Sequence, residues 1–173
     1  MTEFDDAASL LDGSWPEAEW LLPGILPQKS LVVSASPSGT GKGWFGLEAC
    51  ACLASGHEFH GRATPRPCRT VWISYEEREQ TLKARLSAIM RDWEPAERAL
   101  FRINFMYRCL KRDPRLVKAD RKENVVAGPA NWEALDAALC EWGPEVAFVD
   151  TYSKMFPLET NANELAAAAT TMI

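Results

Sequence analysis

The chain has 173 residues and a formal net charge of −5, and 47% of its residues are hydrophobic and 25% charged. This composition is close to the globular average, so it excludes a wholly disordered chain and predicts one domain with an ordinary core. The sequence has no apolar stretch of about 18 residues, and its N-terminus is acidic where a signal peptide would be basic. We therefore expect a cytoplasmic protein with no membrane partner.

The first third of the chain predicts a tail, a turn-rich segment, a strand and a helix. Residues 1–14 are acidic and weakly patterned, so we expect a flexible tail ahead of a domain that spans 15–173. Residues 15–29 are punctuated by proline and glycine and predict an ordered run of turns. Leu31–Ala35 is apolar and rich in β-branched residues, which predicts a buried strand. Lys42–Ser55 is apolar around most of its circumference and predicts a buried helix.

The middle of the chain continues this alternation. Thr70–Tyr75 is an apolar run and predicts a second strand, which two glutamates end. Apolar residues at helical spacing predict a helix over residues 78–93. Phe101–Tyr107 predicts a third strand.

The last third adds an insertion, a helix and another strand. Residues 109–130 predict a loop or small insertion, and a helix is expected from about Asn131 until Gly143 and Pro144 stop it. Val146–Val149 predicts a short buried strand, and the alanine-rich residues 163–173 are helix-like. Alternating strands and helices predict an α/β fold, in which a mostly parallel sheet has helices on both faces.

The five cysteines are odd in number, and the chain is expected to be cytoplasmic, so a disulfide framework is not expected. Buried free thiols are the prediction. A zinc site built from Cys50, Cys52, His57 and His60 is the alternative, although their spacing matches no common zinc pattern.

A glycine-rich run lies between the first predicted strand and the helix that follows it. Its residues are Ser36, Pro37, Ser38, Gly39, Thr40, Gly41, Lys42 and Gly43. Glycines there permit the backbone to turn successive N–H groups inward, the helix N-terminus favours an anion, and the lysine can reach terminal phosphates. The run therefore predicts a phosphate-binding P-loop. The alternative is a glycine-rich turn with a solvated lysine.

Two positions depart from the usual P-loop pattern. Ser36 stands where the first glycine belongs, and Gly43 stands where a serine or threonine would place a hydroxyl on Mg²⁺. Thr40 and Ser38 lie nearby but do not occupy that place. Because one metal ligand is missing, the pattern supports nucleotide binding more firmly than metal-assisted hydrolysis.

Acidic residues follow two of the other predicted strands. Ligands of open parallel sheets bind at the carboxyl ends of the strands, so these residues should lie near Lys42. Asp150 there suits a residue that holds Mg²⁺ directly or through water. Glu76 suits the group that orients or deprotonates the attacking water, and Glu77 is a weaker candidate for the same role. A strand-end cap for Asp150 and an acidic first helical turn for the glutamates are the alternatives.

Several motifs together resemble the RepA-like branch of RecA-type ATPases, which are AAA-family proteins of phages, plasmids and mobile elements. The resemblance runs from about Glu19 to Glu164. It is carried by the lead-in Trp20–Pro27, the P-loop with Gly43-Trp44-Phe45, the run Trp72–Glu77, and Phe148-Val149-Asp150-Thr151.

The resemblance implies a RecA-like core that binds ATP and Mg²⁺, often as a homohexamer, and couples hydrolysis to movement on DNA in replication or recombination. It implies that Lys42 contacts phosphate, that Glu76 is the catalytic base and that Asp150 is the Walker B acid. Trp44 is grouped with the cofactor-binding residues, with adenine contact as the alternative to packing. The later strands of such cores are missing after Ile173, so a fragment or truncated relative is expected.

Two rival functions stay open on the sequence alone. A small-molecule P-loop kinase would need an acceptor pocket and an arginine-rich lid, and residues 108–122 could be misread as that lid. A non-catalytic nucleotide-binding or DNA-binding module would bind without turnover, as Gly43 permits. Basic side chains and aromatics between Arg98 and Lys122 suit a nucleic-acid backbone, or a solvated loop that balances an acidic body.

Overall fold

The computed structural model describes residues 11–13, 17–37, 39–110, 117–119, 125–127 and 129–151, and side chains for these residues except 117–119, 125–127 and 129–132. The remaining residues are outside this description. Among the predictions, most of the tail over 1–14, the role of Ser38, much of the basic segment and the helix over 163–173 therefore fall outside the described residues.

The described strands and helices alternate along most of the chain. The strands are β1 (Trp20–Leu22), β2 (Leu26–Pro27), β3 (Thr70–Ser74), β4 (Phe105–Cys109), β5 (Val117–Ala119), β6 (Val125–Ala127) and β7 (Val146–Asp150). The helices are α1 (Lys42–Ser55), α2 (Glu79–Ile89), α3 (Pro95–Asn104) and α4 (Pro129–Trp142). None of the helices in the described part of the chain is long and apolar enough to cross a membrane.

A parallel sheet in the order β4-β3-β7 forms the centre of the described residues. Thr70 at the start of β3 pairs with Phe105 of β4 on one side and with Val146 of β7 on the other. All five residues of β3 are buried, as expected for a central strand that is covered on both faces. The carboxyl ends of the three strands lie at the same edge because they run parallel, which confirms the α/β prediction.

Helix α1 packs against this sheet and supplies most of the core. Its last turns are buried, including Cys50 and Leu53, which are both fully inaccessible. Small residues let the helix approach closely: a Cβ added at Gly46 would lie 3.4 Å from the Trp72 ring, and the Thr70 hydroxyl donates to the Cys50 carbonyl at 3.2 Å. The helix has the predicted bounds. It ends at Gly56, whose positive φ of 80° suits a left-handed cap.

The expected first strand is not formed. Leu31–Ala35 is outside the strands and exposed along its whole length, and 65% of Val33 is accessible. An apolar β-branched run expresses a preference for a strand, but a ladder also requires the backbone of a neighbouring strand. Among the residues that the structure describes, no strand pairs with this segment. The prediction of a buried strand at this point is therefore wrong.

The region after β3 also differs from the prediction. The expected helix over 78–93 is shorter, because α2 ends at Ile89, and a separate helix α3 occupies the start of the expected strand Phe101–Tyr107. Glu94 and Glu97 form a capping box around Pro95, which begins α3 and keeps the chain helical through Asn104. The strand consequently starts four residues later than predicted, at Phe105.

Three smaller differences concern the flanks. The turn-rich lead-in is ordered as predicted, with β1 and β2 paired antiparallel around Gly24. The insertion over 109–130 contains the antiparallel pair β5–β6. The last strand, β7, is half-buried rather than buried, because it pairs with β3 and no other strand in the described residues.

Candidate functional site

The two central glycines of the glycine-rich loop have unusual backbone dihedrals, as expected. Gly39 and Gly41 have φ values of 80° and 91°, in the left-handed region that side chains other than glycine disfavour. A Cβ added at either position would meet no atom within 4 Å, so backbone conformation and not space requires these glycines. Gly41 caps α1 without a side-chain hydrogen bond. The first N–H groups of α1 therefore lie at the loop, where an anion would be favoured.

Lys42 folds back over this loop. Its ammonium donates to the carbonyl oxygens of Ser36 at 2.6 Å and Pro37 at 2.8 Å. Thr40 closes the loop from the other side, because its hydroxyl donates to the Pro37 carbonyl at 2.9 Å and lies 2.5 Å from the Ser36 hydroxyl. The positive charge of Lys42 is thus held at the loop.

Asp150 lies against the start of α1. A Cβ added at Gly43 would come within 2.8 Å of Asp150 Oδ2, which is closer than real Cβ contacts. The Thr151 hydroxyl donates to Asp150 Oδ1 at 3.4 Å, and the Tyr75 N–H donates to the Asp150 carbonyl at 2.7 Å. The end of β7 is thereby fixed beside the loop, and the predicted partners Lys42 and Asp150 share one edge.

The acidic pair after β3 is positioned by a serine that the sequence analysis did not single out. Ser74 is buried at the end of β3, and its hydroxyl accepts the N–H of Glu77 at 2.9 Å and the N–H of Glu76 at 3.3 Å. This turn leaves the Glu76 residue exposed and directs the Glu77 side chain inward, where 7% of it is accessible. The visible signal was a serine two residues before an acidic pair.

Arg85 on α2 is a second residue that sequence reasoning missed. It forms an ion pair with Glu77, and its guanidinium carbon lies 5.1 Å from the centre of the Trp44 ring. The same guanidinium would lie 3.4 Å from a Cβ at Gly43. An arginine two helical turns beyond an acidic pair was the available signal, but the packing of α2 had to be known to read it. Trp44 therefore stacks on a cation, and 41% of it is exposed.

The carboxylates at this edge share an electrostatic environment that resists ionisation. Burial raises the pKa of Asp150, and the charge of Glu76 raises it further, while Thr151, Arg85 and Lys42 act in the opposite direction. Burial also raises the pKa of Glu77, against the effect of Arg85. Negative charge at this edge is thus incompletely compensated, so a bound cation would stabilise the ionised carboxylates.

A cavity of about 450 Å³ opens beside the acidic pair and is lined by residues 75–80 and Leu110. The Tyr75 hydroxyl is buried without a hydrogen-bond partner among the described residues, and burial raises its pKa to about 12. The cavity is polar and lies on the β4 side of the acidic pair.

The zinc alternative finds no support in the described part of the chain. His57 Nδ1 lies 2.8 Å from Glu97, and His60 Nε2 lies 3.3 Å from Glu48. No group of metal-binding side chains is found among the described residues. None of the five cysteines forms a disulfide. Cys50, Cys52 and Cys68 are buried as predicted, but the prediction of burial is wrong for Cys109, which is partly accessible, and for Cys140, which is exposed.

Comparison with family models matches residues 2–173 to an AAA domain. The chain belongs to this AAA-domain family. The match supports a nucleotide-binding module of ATPase type with a P-loop NTPase fold, and its small parallel sheet agrees with that fold. Comparison with curated proteins and with solved structures gives no significant match.

AAA-family ATPases generally bind ATP with Mg²⁺. In this AAA domain, the half-buried Asp150 offers the carboxylate oxygens that Mg²⁺ prefers, and Lys42 is close enough for its charge to lower the pKa of Asp150. Gly43 offers no side-chain oxygen, and Arg85 lies close to the space that a side chain at position 43 would fill. The donor set therefore fits Mg²⁺ at Asp150, directly or through water, with one protein ligand fewer than a hydroxyl-bearing loop provides.

Proposed function

We propose that this AAA domain binds ATP at the loop over residues 36–43 and hydrolyses it with Mg²⁺. The observation that carries the proposal is the meeting of three parts at one sheet edge. Lys42 is held over the loop by two carbonyls, the N-terminus of α1 opens onto the same loop, and Asp150 lies against Gly43. These parts would bind phosphates, and a metal could bridge them to the strand-end acid.

Each residue has a role in this proposal. The cofactor-binding residues are Ser36, Pro37, Ser38, Gly39, Thr40, Gly41, Lys42, Gly43 and Trp44. Their contribution is mostly backbone N–H groups and the Lys42 charge, which neutralise phosphate oxygens. Asp150 would hold Mg²⁺, which spreads the charge that develops during phosphoryl transfer.

Glu76 would orient and deprotonate the attacking water. It is exposed at the end of β3, and its charge acts on Asp150, so it lies at the same edge. Glu77 pairs with Arg85 and is nearly inaccessible, which makes it a less direct candidate for contact with water. Catalysis here would come from positioning and charge neutralisation more than from covalent chemistry.

The wider role we propose is that of a RecA- or RepA-like motor in DNA replication or recombination. The family match and the motifs after β3 and β7 support it. Tyr107 and Arg108 are exposed on β4, within the described part of the basic segment that would face DNA. A homohexamer in the cytoplasm is part of this proposal.

The decisive experiment is a calorimetric titration of ATP, with and without Mg²⁺, in which phosphate release is followed in the same samples. We expect Lys42→Ala to weaken ATP binding by roughly 10- to 100-fold, the range for charge-assisted hydrogen bonds. Lys83→Ala is the matched control, since Lys83 is exposed on α2. Equal ATP affinity in the Lys42 variant and the wild-type chain would refute phosphate binding at this loop.

Gly43 favours a second candidate, a nucleotide-binding module that does not hydrolyse. Without a hydroxyl at position 43, Mg²⁺ loses one ligand, and ATP could bind without being positioned for attack. Lys42-dependent binding with no phosphate release, with or without DNA, would support this module over the ATPase. Steady release that stops in Glu76→Gln would support the ATPase.

A further inference from the structure

Arg85 and Gly43 form a pair that the usual P-loop pattern does not contain. A Cβ added at Gly43 would lie 3.4 Å from Arg85 Nη1 and 2.8 Å from Asp150 Oδ2. Any larger residue at position 43 would therefore push against Asp150 and would bring its side chain into contact with Arg85. The absent side chain is what leaves room for a guanidinium beside the first turn of α1.

Arg85 is held in this position by contacts on two sides. Glu77 forms an ion pair with it, and the Trp44 ring lies 5.1 Å from the guanidinium carbon, within the range of a cation–π contact. About a quarter of the Arg85 side chain, 26%, is accessible. The guanidinium is thus partly desolvated and already oriented, and it keeps N–H groups available because one carboxylate cannot use all five.

The acidic residues around the loop favour a positive charge at the position of Arg85. Glu76, Glu77 and Asp150 lie close together at this edge, and Arg85 and Lys42 are the cations whose charges act on Asp150 within the described residues. ATP adds further negative charge at the same edge. In a loop with a serine or threonine at position 43, that hydroxyl would help to hold a divalent cation there. In this chain the guanidinium of Arg85 lies near that place instead.

We infer that Arg85 is a phosphate-binding residue which, when ATP occupies the loop, exchanges its ion pair with Glu77 for hydrogen bonds to terminal phosphate oxygens. Gly43 is the residue that makes this access possible. The inference rests on the proposed function, since it assumes phosphates on residues 36–43. Its consequence is that ATP binds this chain with less dependence on Mg²⁺ than it would bind a loop with a hydroxyl at position 43.

The test compares ATP affinity in excess EDTA with ATP affinity in Mg²⁺, for the wild-type chain and a small set of variants. We expect Arg85→Gln to weaken binding in EDTA by about tenfold, the effect of one charge-assisted contact. Arg85→Lys should lose less, because it keeps the charge but not the planar fork. Arg91→Gln is the matched control, because Arg91 is an exposed arginine outside the basic segment, and we expect no change.

Position 43 provides an independent arm. Gly43→Ala fills the space without adding an oxygen, so it should weaken binding in EDTA and leave the Mg²⁺ effect small. Gly43→Ser displaces Arg85 in the same way but adds a hydroxyl. It should therefore weaken binding in EDTA and make Mg²⁺ strengthen ATP binding severalfold more than it does in the wild-type chain. Equal behaviour of the alanine and serine variants in Mg²⁺ would contradict this part of the inference.

Glu77→Gln separates phosphate binding from a purely structural ion pair. If Arg85 must leave Glu77 to reach phosphate, removal of the Glu77 charge should tighten ATP binding in EDTA, opposite in sign to Arg85→Gln. If the ion pair only supports the fold, Glu77→Gln and Arg85→Gln should both lower the unfolding midpoint. Neither variant should then change the ratio of ATP affinity in EDTA to ATP affinity in Mg²⁺. That second result would overturn the inference about Arg85, and the proposed function would still stand if ATP binding depended on Lys42. If the wild-type chain bound no ATP, both the inference and the proposed function would be overturned.

Discussion

The two ends of helix α1 are in contrasting surroundings. Its C-terminal half is buried in the core, and two of its residues, Cys50 and Leu53, have no accessible surface. Its N-terminal turn carries Trp44 and Phe45, which are exposed by 41% and 43%, and follows Gly41, whose φ of 91° suits glycine. The same helix therefore has an anchored end in the core and an open end at the glycine-rich loop, where an anion would be favoured.

The contrast extends to the ionisable groups. Near the buried end, Glu97 caps α3 and accepts a hydrogen bond from His57, so its carboxylate is stabilised in the ionised form. At the open end, burial and then the charges of neighbouring acids raise the pKa of Asp150 and of Glu77, so both are destabilised as carboxylates. A fold stabilised at one end can tolerate unfavourable charge at the other, where a ligand is expected to supply the missing positive charge.

The largest expected effect comes from the anchored end. Leu53→Ala removes a fully buried side chain from the core and should lower the free energy of unfolding by about 3 kcal/mol. Urea denaturation followed by tryptophan fluorescence would measure it. Phe45→Ala, on the same helix but exposed at its open end, is the control and should cost much less. Equal losses for the two variants would remove the contrast between the ends of α1.

A smaller effect is expected at the loop. Gly41→Ala forces an alanine into a φ of 91°, so it should cost about 1 kcal/mol of stability. The strain is local, and there is open space for the methyl group, so the fold should persist. ATP affinity should fall more than stability does, because the loop N–H groups would be turned away from the phosphates. Calorimetry would measure ATP affinity, and urea denaturation of the same sample would measure the free energy of unfolding. Unchanged ATP affinity would show that ATP binding does not require this loop conformation.

Much of the anchored end could be predicted from the sequence. Helix α1 and strand β3 follow from hydrophobic runs of the right length, and the loop follows from its glycines and lysine. The start of α3 could also have been predicted, because Glu94, Pro95 and Glu97 form a capping signal. The apolar residues after this signal suggested a strand instead. Local capping outweighed side-chain preference there.

The errors elsewhere concern partners that are distant in sequence. Leu31–Ala35 has the composition of a strand, yet composition cannot state whether a neighbouring backbone is available. The Arg85–Glu77 pair depends on how α2 packs against the end of β3, and the closeness of Gly43 to Asp150 depends on how β7 is placed in the sheet. The sequence showed that Gly43 lacks a hydroxyl, and only the fold shows which group lies in the space it leaves.

The smallest expected effect is a difference in pH dependence between the two ends. The pKa of Asp150 is raised in the folded chain, so the folded state binds more protons than the unfolded state between the ordinary and raised values. Stability is lost there as the pH rises, and the loss is complete above the raised value. Asp150→Asn should therefore be more stable than the wild-type chain at neutral pH and match it more closely in acid.

Glu97 should behave in the opposite way. Burial acts to raise its pKa, but the hydrogen bonds from His57 and from the Glu94 N–H lower it overall. Its contribution is present above the ordinary carboxyl pKa and is lost as the pH falls through the lowered value. Glu97→Gln should then be less stable than the wild-type chain at neutral pH, with the difference shrinking in acid. Urea midpoints across a pH series would test both variants, and shifts of the same sign would contradict the assignment of opposite electrostatic roles to the two ends.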